Sequence, residues 1–188
     1  MNTNICISQN EIQILSTMIG KTLSCYKADP FIYSPTTFGI VGLYVDNQPF
    51  KLLCSLENVQ RFNAAEDAAK FSIVQAQEDE IVSYMEGGQL TSTLVERKIK
   101  SITVVNDHQV LKKQEMETSF DSTIGIIFTC DDDLEISFAL TSWFSEMITI
   151  RKGYNLVETM IPVSEFNEEW EGCGFEISSV RSTTVLAL

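Results

Sequence analysis

Two stretches of this chain run through apolar and β-branched residues to a short polar break and then alternate apolar with small or polar residues, and few folds accommodate that pattern twice. "TTFGIVGLYVDNQPFKLLCSL" (36–56) runs through β-branched and aromatic residues, breaks at "DNQP", and resumes with Phe50, Leu52, Cys54 and Leu56 on one face. "TIGIIFTCDDDLEISFALTS" (123–142) breaks at "DDD" and resumes with Ile136, Phe138 and Leu140 on one face. Period-two alternation around turn residues is the signature of an antiparallel hairpin.

The two hairpins align without a gap at an offset of 86, matching Thr37 to Thr123, Gly39 to Gly125, Ile40 to Ile126 and Asp46 to Asp132. A second pair, "IKSITVV" (99–105) and "VRSTTVL" (180–186), aligns at an offset of 81. The anchors keep the same order, which predicts two related halves, 32–108 and 119–188, sharing one core within a single globular domain, 1–188. The competing reading is generic, since alternation and turn chemistry make unrelated hairpins look alike.

A helix is expected ahead of the halves, over 9–26. Ser8 and Glu11 have capping-box spacing, and Ile12, Leu15, Ile19 and Leu23 follow at helical spacing. "NAAEDAAKF" (63–71) also reads as a short helix, "VNDHQ" (105–109) as a turn, and "VSEFNEEWEG" (163–172) as a helix that buries Val163, Phe166 and Trp170. The long strand-like run after Gly87-Gly88 shows an interruption near Glu96. The fold class is therefore α+β: mainly antiparallel strands, an N-terminal helix, and a short helix in the C-terminal half.

Lys and Arg total 13 and Asp and Glu total 26, so the net charge is −13. Binding to a phosphate backbone depends on cationic side chains, so this balance argues against nucleic acid and against an anionic membrane surface. It favours a basic protein as partner, because opposite charge steers encounter. The five cysteines are widely spaced, odd in number and without C-x-x-C, a reducing-compartment pattern. With no leader-like or membrane-spanning stretch visible, a cytoplasmic location is expected. The sequence specifies no oligomeric state.

Motifs for chemistry are scarce. The single histidine, His108, lies in the predicted turn, and no serine has the G-x-S-x-G context. No zinc, calcium or phosphate-loop spacing occurs, so no catalytic residue, metal or cofactor is assigned. Two charge features remain. Asp131, Asp132, Asp133 and Glu135 crowd one hairpin tip, a candidate contact for a basic partner, with Trp143 as a candidate aromatic anchor. Arg97, Lys98, Lys100, Lys112 and Lys113 form a basic strip suited to an anion, or to guarding an exposed strand edge. The leading expectation is a non-catalytic binding protein, one form of which is an acidic, immunity-type inhibitor of a basic partner. The alternatives are a small-molecule enzyme using carboxylates in a groove between the halves, and a scaffold protein that forms oligomers.

Overall fold

The computed structural model describes residues 2–31, 34–62 and 64–188. In chain order its elements are β1 (Asn2–Ile5), α1 (Gln9–Ser16), β2 (Thr22–Ala28), β3 (Thr36–Phe38), β4 (Ile40–Val45), β5 (Gln48–Arg61), β6 (Ala64–Gln75), β7 (Thr91–Lys113), β8 (Met116–Cys130), β9 (Glu135–Leu140), β10 (Met147–Gly153), α2 (Val163–Glu169) and β11 (Glu176–Ala187). Single 3-10 turns lie at Glu78–Glu80 and Leu156–Thr159. The protein is mainly antiparallel sheet with two short helices, as the alternation predicts.

The strands pair in the order β3-β10-β9-β8-β7-β2-β4-β5-β6. Only Gly39 separates β3 from β4. Its N–H donates to the Glu146 carbonyl beside β10 at 3.0 Å, and its carbonyl accepts from the Cys54 N–H of β5 at 2.7 Å. The ladder therefore closes on itself through β4, β2, β7, β8, β9, β10 and β3. Tyr26 on β2 meets Phe138 on β9 edge-to-face at 5.7 Å, and Phe138 meets Phe128 on β8 at 5.8 Å, so ring contacts cross the interior of the closed ladder.

One order of pairing recurs. Strands β2, β4, β5 and β6 form a meander, and the next strand, β7, returns to pair antiparallel with β2. Strands β7, β8, β9 and β10 form a second meander, and β11 returns to pair antiparallel with β7. β7 belongs to both. The similar stretches 99–105 and 180–186 lie on β7 and β11 and pair with each other, Val105 opposite Thr183 and Ile102 opposite Leu186. Each hairpin glycine is roofed by the segment that leads to the returning strand. A Cβ on Gly39 would come within 2.8 Å of the Tyr84 ring, and one on Gly125 within 2.6 Å of the Met160 methyl.

Three local expectations are corrected. The first helix stops at Ser16 instead of running to 26. The capping box forms as the spacing predicts. However, Gly20 adopts a left-handed φ of +81°, which ends the helical turns and turns the chain into β2. Leu23 kept the helical spacing because it is a core residue of that strand. The alanine-rich stretch from 64 is strand β6, paired along β5 over its whole length, so ladder bonds and burial of Ala68, Ala69 and Phe71 override alanine's helix preference; Asn63 lies outside the described residues. "VNDHQ" is mid-strand in β7. Its polar residues alternate, with Asp107 and Gln109 buried among partners and His108 facing out. The interruption near Glu96 is a left-handed residue (φ +51°) beside a register shift against β2.

Candidate functional site

The acidic tip and the near end of the basic strip meet in space, where two pairs of opposite charges form. The turn after β8 folds back on β7, where Asp132 accepts from Arg97 Nε at 3.1 Å and Asp133 from Lys100 Nζ at 2.6 Å. The Arg97 hydrogen bond holds the Asp132 carboxyl below its ordinary range. The Asp131 N–H bonds the Lys98 carbonyl, and Glu135 turns inward to accept from the Leu156 N–H at 2.7 Å. The rest of the basic strip lies about 40 Å further along β7, at ~3.3 Å per residue. There Lys112 faces Glu176 at 3.8 Å and Lys113 lies over the Phe175 ring. The basic strip is thus two separate groups. Trp143 is 4% exposed and belongs to the core, so it offers no surface to a partner; its neighbour Phe144 does.

His108 does gain a partner. Its Nδ1 lies 2.7 Å from Asp121 Oδ1 across the β7–β8 pair, and β1 brings Asn4 opposite Asp121. Cys6 lies in the same patch, but burial and the Asp121 charge push its thiol up to about 11. A thiol so disfavoured as thiolate is the opposite of an activated nucleophile. Among the described residues no group of three His, Cys, Asp or Glu side chains could hold a metal ion. The same physics fixes thiol reactivity. Burial drives Cys54 to about 12 and raises Cys130, while Cys173 is exposed. With a maleimide at pH 8, mass spectrometry is expected to find Cys173 labelled first and Cys54 and Cys130 protected until unfolding, with Cys6 gaining reactivity only as pH approaches 11. Fast labelling of Cys54 in the folded protein would contradict this burial.

Two arginines, Arg61 buried and Arg181 partly buried, hold the elements around the closed ladder. Arg61, at the end of β5, has no exposed surface. Its Nη1 and Nη2 donate to the two Glu169 oxygens of α2, both at 2.9 Å, and further bonds reach Glu66 and Gln109. Five rings enclose the guanidinium, with centroids 4.9 to 6.0 Å from Cζ: Phe62, Phe120, Trp143, Phe144 and Phe166. Arg181 on β11 grips the fully buried Asp107 through two 2.8 Å bonds and also bonds the Ile161 carbonyl ahead of α2. Both guanidiniums bond groups within the fold, although Arg61 Nε has no hydrogen-bond partner among the described residues, and their roles are structural.

A further surface feature is a groove. Two adjoining hollows of about 290 and 260 Å³ share Asp29 and Pro30. Phe38, Met85 and Met147 line one and Phe31 the other. Phe38 stacks on Tyr84 at 6.2 Å and 17°, and Phe31, Phe38, Val82 and Tyr84 are each more than a third exposed. The buried Asp29 sets this wall by accepting from the Ser83 hydroxyl and, at 2.9 Å, from the Tyr84 N–H. Carboxylates adjoin the groove residues in the chain: Glu86 follows Met85 and Glu146 precedes Met147. Glu146 accepts a hydrogen bond from the Tyr84 hydroxyl, which raises that phenol above its ordinary value. Lys27 is engaged by Glu78 at 2.5 Å.

Sequence reading missed this groove. Its residues are scattered over four segments, and the available signal was aromatic and methionine residues beside Pro or Gly: Pro30-Phe31, Phe38-Gly39, and Tyr84-Met85 ahead of Gly87. Among the described residues that line them, this groove and the hollow of about 270 Å³ between β10 and the Thr159–Pro162 segment each have a single carboxylate, Asp29 and Glu165 respectively. No helix among the described residues is long and apolar enough to cross a membrane. Compared with known protein families, curated proteins and solved structures, the chain matches none.

Proposed function

We propose that this is a non-catalytic interaction protein that takes up a basic, partly apolar segment of a protein partner in the groove of Phe31, Phe38, Tyr84, Met85 and Met147. One observation carries the reading: an exposed aromatic and methionine surface bordered by carboxylates, in a chain of net charge −13. Exposed apolar surface rimmed by polar groups marks contact sites, and methionine adapts to varied partners. The acidic rim selects cationic sequences and speeds their arrival. The tip at Asp131–Asp133 is a weaker docking point, because Arg97 and Lys100 already engage two of its carboxylates. An inhibitor of a basic toxin is one form this function takes.

The test uses a labelled amphipathic peptide of Lys and Leu, its Glu and Leu counterpart, and fluorescence anisotropy. The cationic peptide is expected to bind, more weakly as salt rises, and the acidic one not to bind. Exchanging Phe38 and Tyr84 for Ser leaves net charge unchanged and is expected to weaken binding at least tenfold. Glu165→Gln with Glu168→Gln, on α2, is expected to weaken it only slightly. Equal loss in both variants would mean that net charge alone attracts the peptide, and the groove would be rejected as the site.

We also infer that the two meanders descend from one duplicated unit. The recurring order of pairing, with β7 closing the first and opening the second, supports this. So does the matched roofing of Gly39 by Tyr84 and of Gly125 by Met160. On this reading the halves overlap in β7 instead of separating between 108 and 119.

A further inference from the structure

β11 is a strand of twelve residues without one buried side chain. It pairs with a single strand, β7, and also contacts α2 and α1. Val180 is 56% exposed and Val185 61%. Edge strands of this length are normally shielded, since their free N–H and C=O groups recruit other chains. Several other edges among the described residues are shielded. On β6 the Ala69 N–H is taken by the Trp143 carbonyl and the Ile73 N–H by the Glu11 carboxylate. β3 has three residues and β1 four. The 91–98 part of β7 carries the bulge at Glu96 and the charges of Arg97 and Lys98. β11 has none of these devices: no proline, no lysine, no left-handed residue and a regular register along β7.

Its charge is equally distinctive. From Ile177 to Leu188 there is no acidic side chain, and the one cation, Arg181, is taken by Asp107. Two copies of a chain with net charge −13 repel wherever carboxylates would meet. The acid-free strip is where two copies can approach without that penalty. An antiparallel strand pair about a twofold axis is also self-complementary, so each side supplies what the other needs. We infer that β11 is the contact surface for a second copy of this chain, the two β11 strands pairing antiparallel to continue the sheet from one protomer into its partner. This surface is separate from the groove, and neither proposal depends on the other.

Sedimentation equilibrium across the micromolar range tests it. The expected species has twice the 21.1 kDa mass of the chain. Val180→Lys combined with Val185→Lys is expected to raise the dissociation constant at least tenfold, with circular dichroism unchanged. Leu94→Lys combined with Tyr154→Lys, which alters exposed apolar residues away from β11, is expected to leave the dimer intact. Hydrogen exchange on the unmodified protein gives a readout that needs no variant: amides of 176–187 are expected to slow as concentration rises. A chain that stays monomeric throughout, a dimer that survives the β11 lysines, or exchange in β11 that is independent of concentration would each overturn the inference.

Discussion

Arg61→Ala is expected to destabilise the protein by about 3–5 kcal/mol, the usual cost of removing one partner from a buried ion pair. In a chain of this size that lowers the melting temperature by roughly 10 °C. Glu169 and Glu66 are each about one third exposed, so water can reach their carboxylates once the guanidinium is gone. Much of the loss therefore comes from packing. Five rings from the end of β5, β8, α2 and the 143–144 segment all close on one flat cation. Lysine at 61 is expected to recover little, because a compact ammonium cannot bond both Glu169 oxygens and lie flat among rings. Urea unfolding of Arg61→Ala, Arg61→Lys and Glu169→Gln separates the contributions. A loss below ~1 kcal/mol in Arg61→Ala would place this cluster with ordinary surface ion pairs and remove its assigned role.

Asp107→Ala should cost a similar amount, about 3–5 kcal/mol, for a different reason. Asp107 is completely buried, and Arg181 is 14% exposed at the side chain. Removing the carboxylate leaves a guanidinium with only the Ile161 carbonyl as partner. β11 has no fully buried side chain, and beyond the backbone ladder it is held by this pair and by Ile177 and Leu186 packed against the core. The expected signature is local: hydrogen exchange across 176–187 speeds up more than in β8 or β9. Uniform acceleration through the whole sheet would show that the pair supports the core in general and not β11 in particular.

What could be read in the sequence follows from the range of each interaction. The hairpins 36–56 and 123–142, the capping box at Ser8 and Glu11, and the helix around Phe166 depend on neighbours a few residues away, and each leaves a periodic trace. β6 leaves none, because alanine prefers helix until a partner strand pairs with it along its length. The polar run at 106–109 looked like a turn because Asp107 finds Arg181 only 74 residues later and Gln109 finds Arg61 48 residues earlier. The acidic tip and the basic strip were both visible as residues. That two of the tip carboxylates meet Arg97 and Lys100 depends on how β8 lies on β7. The groove was least legible of all, being assembled from four segments with no spacing rule between them.

The attachment of the first and last strands has a mechanical consequence. β1 lies parallel to β8 with Asn2 beside Ser119, near the start of that strand. β11 ends with Ala187 beside Ser101, which in turn faces Thr129 near the far end of β8. Tension applied between Asn2 and Ala187 therefore runs along the strand axes, through β1, β8, β7 and β11 in series. Every ladder bond in a pair is then loaded in shear at the same moment, and none can be peeled open singly from a free end. Behind them the closed ladder gives the load no loose edge at which to start a tear.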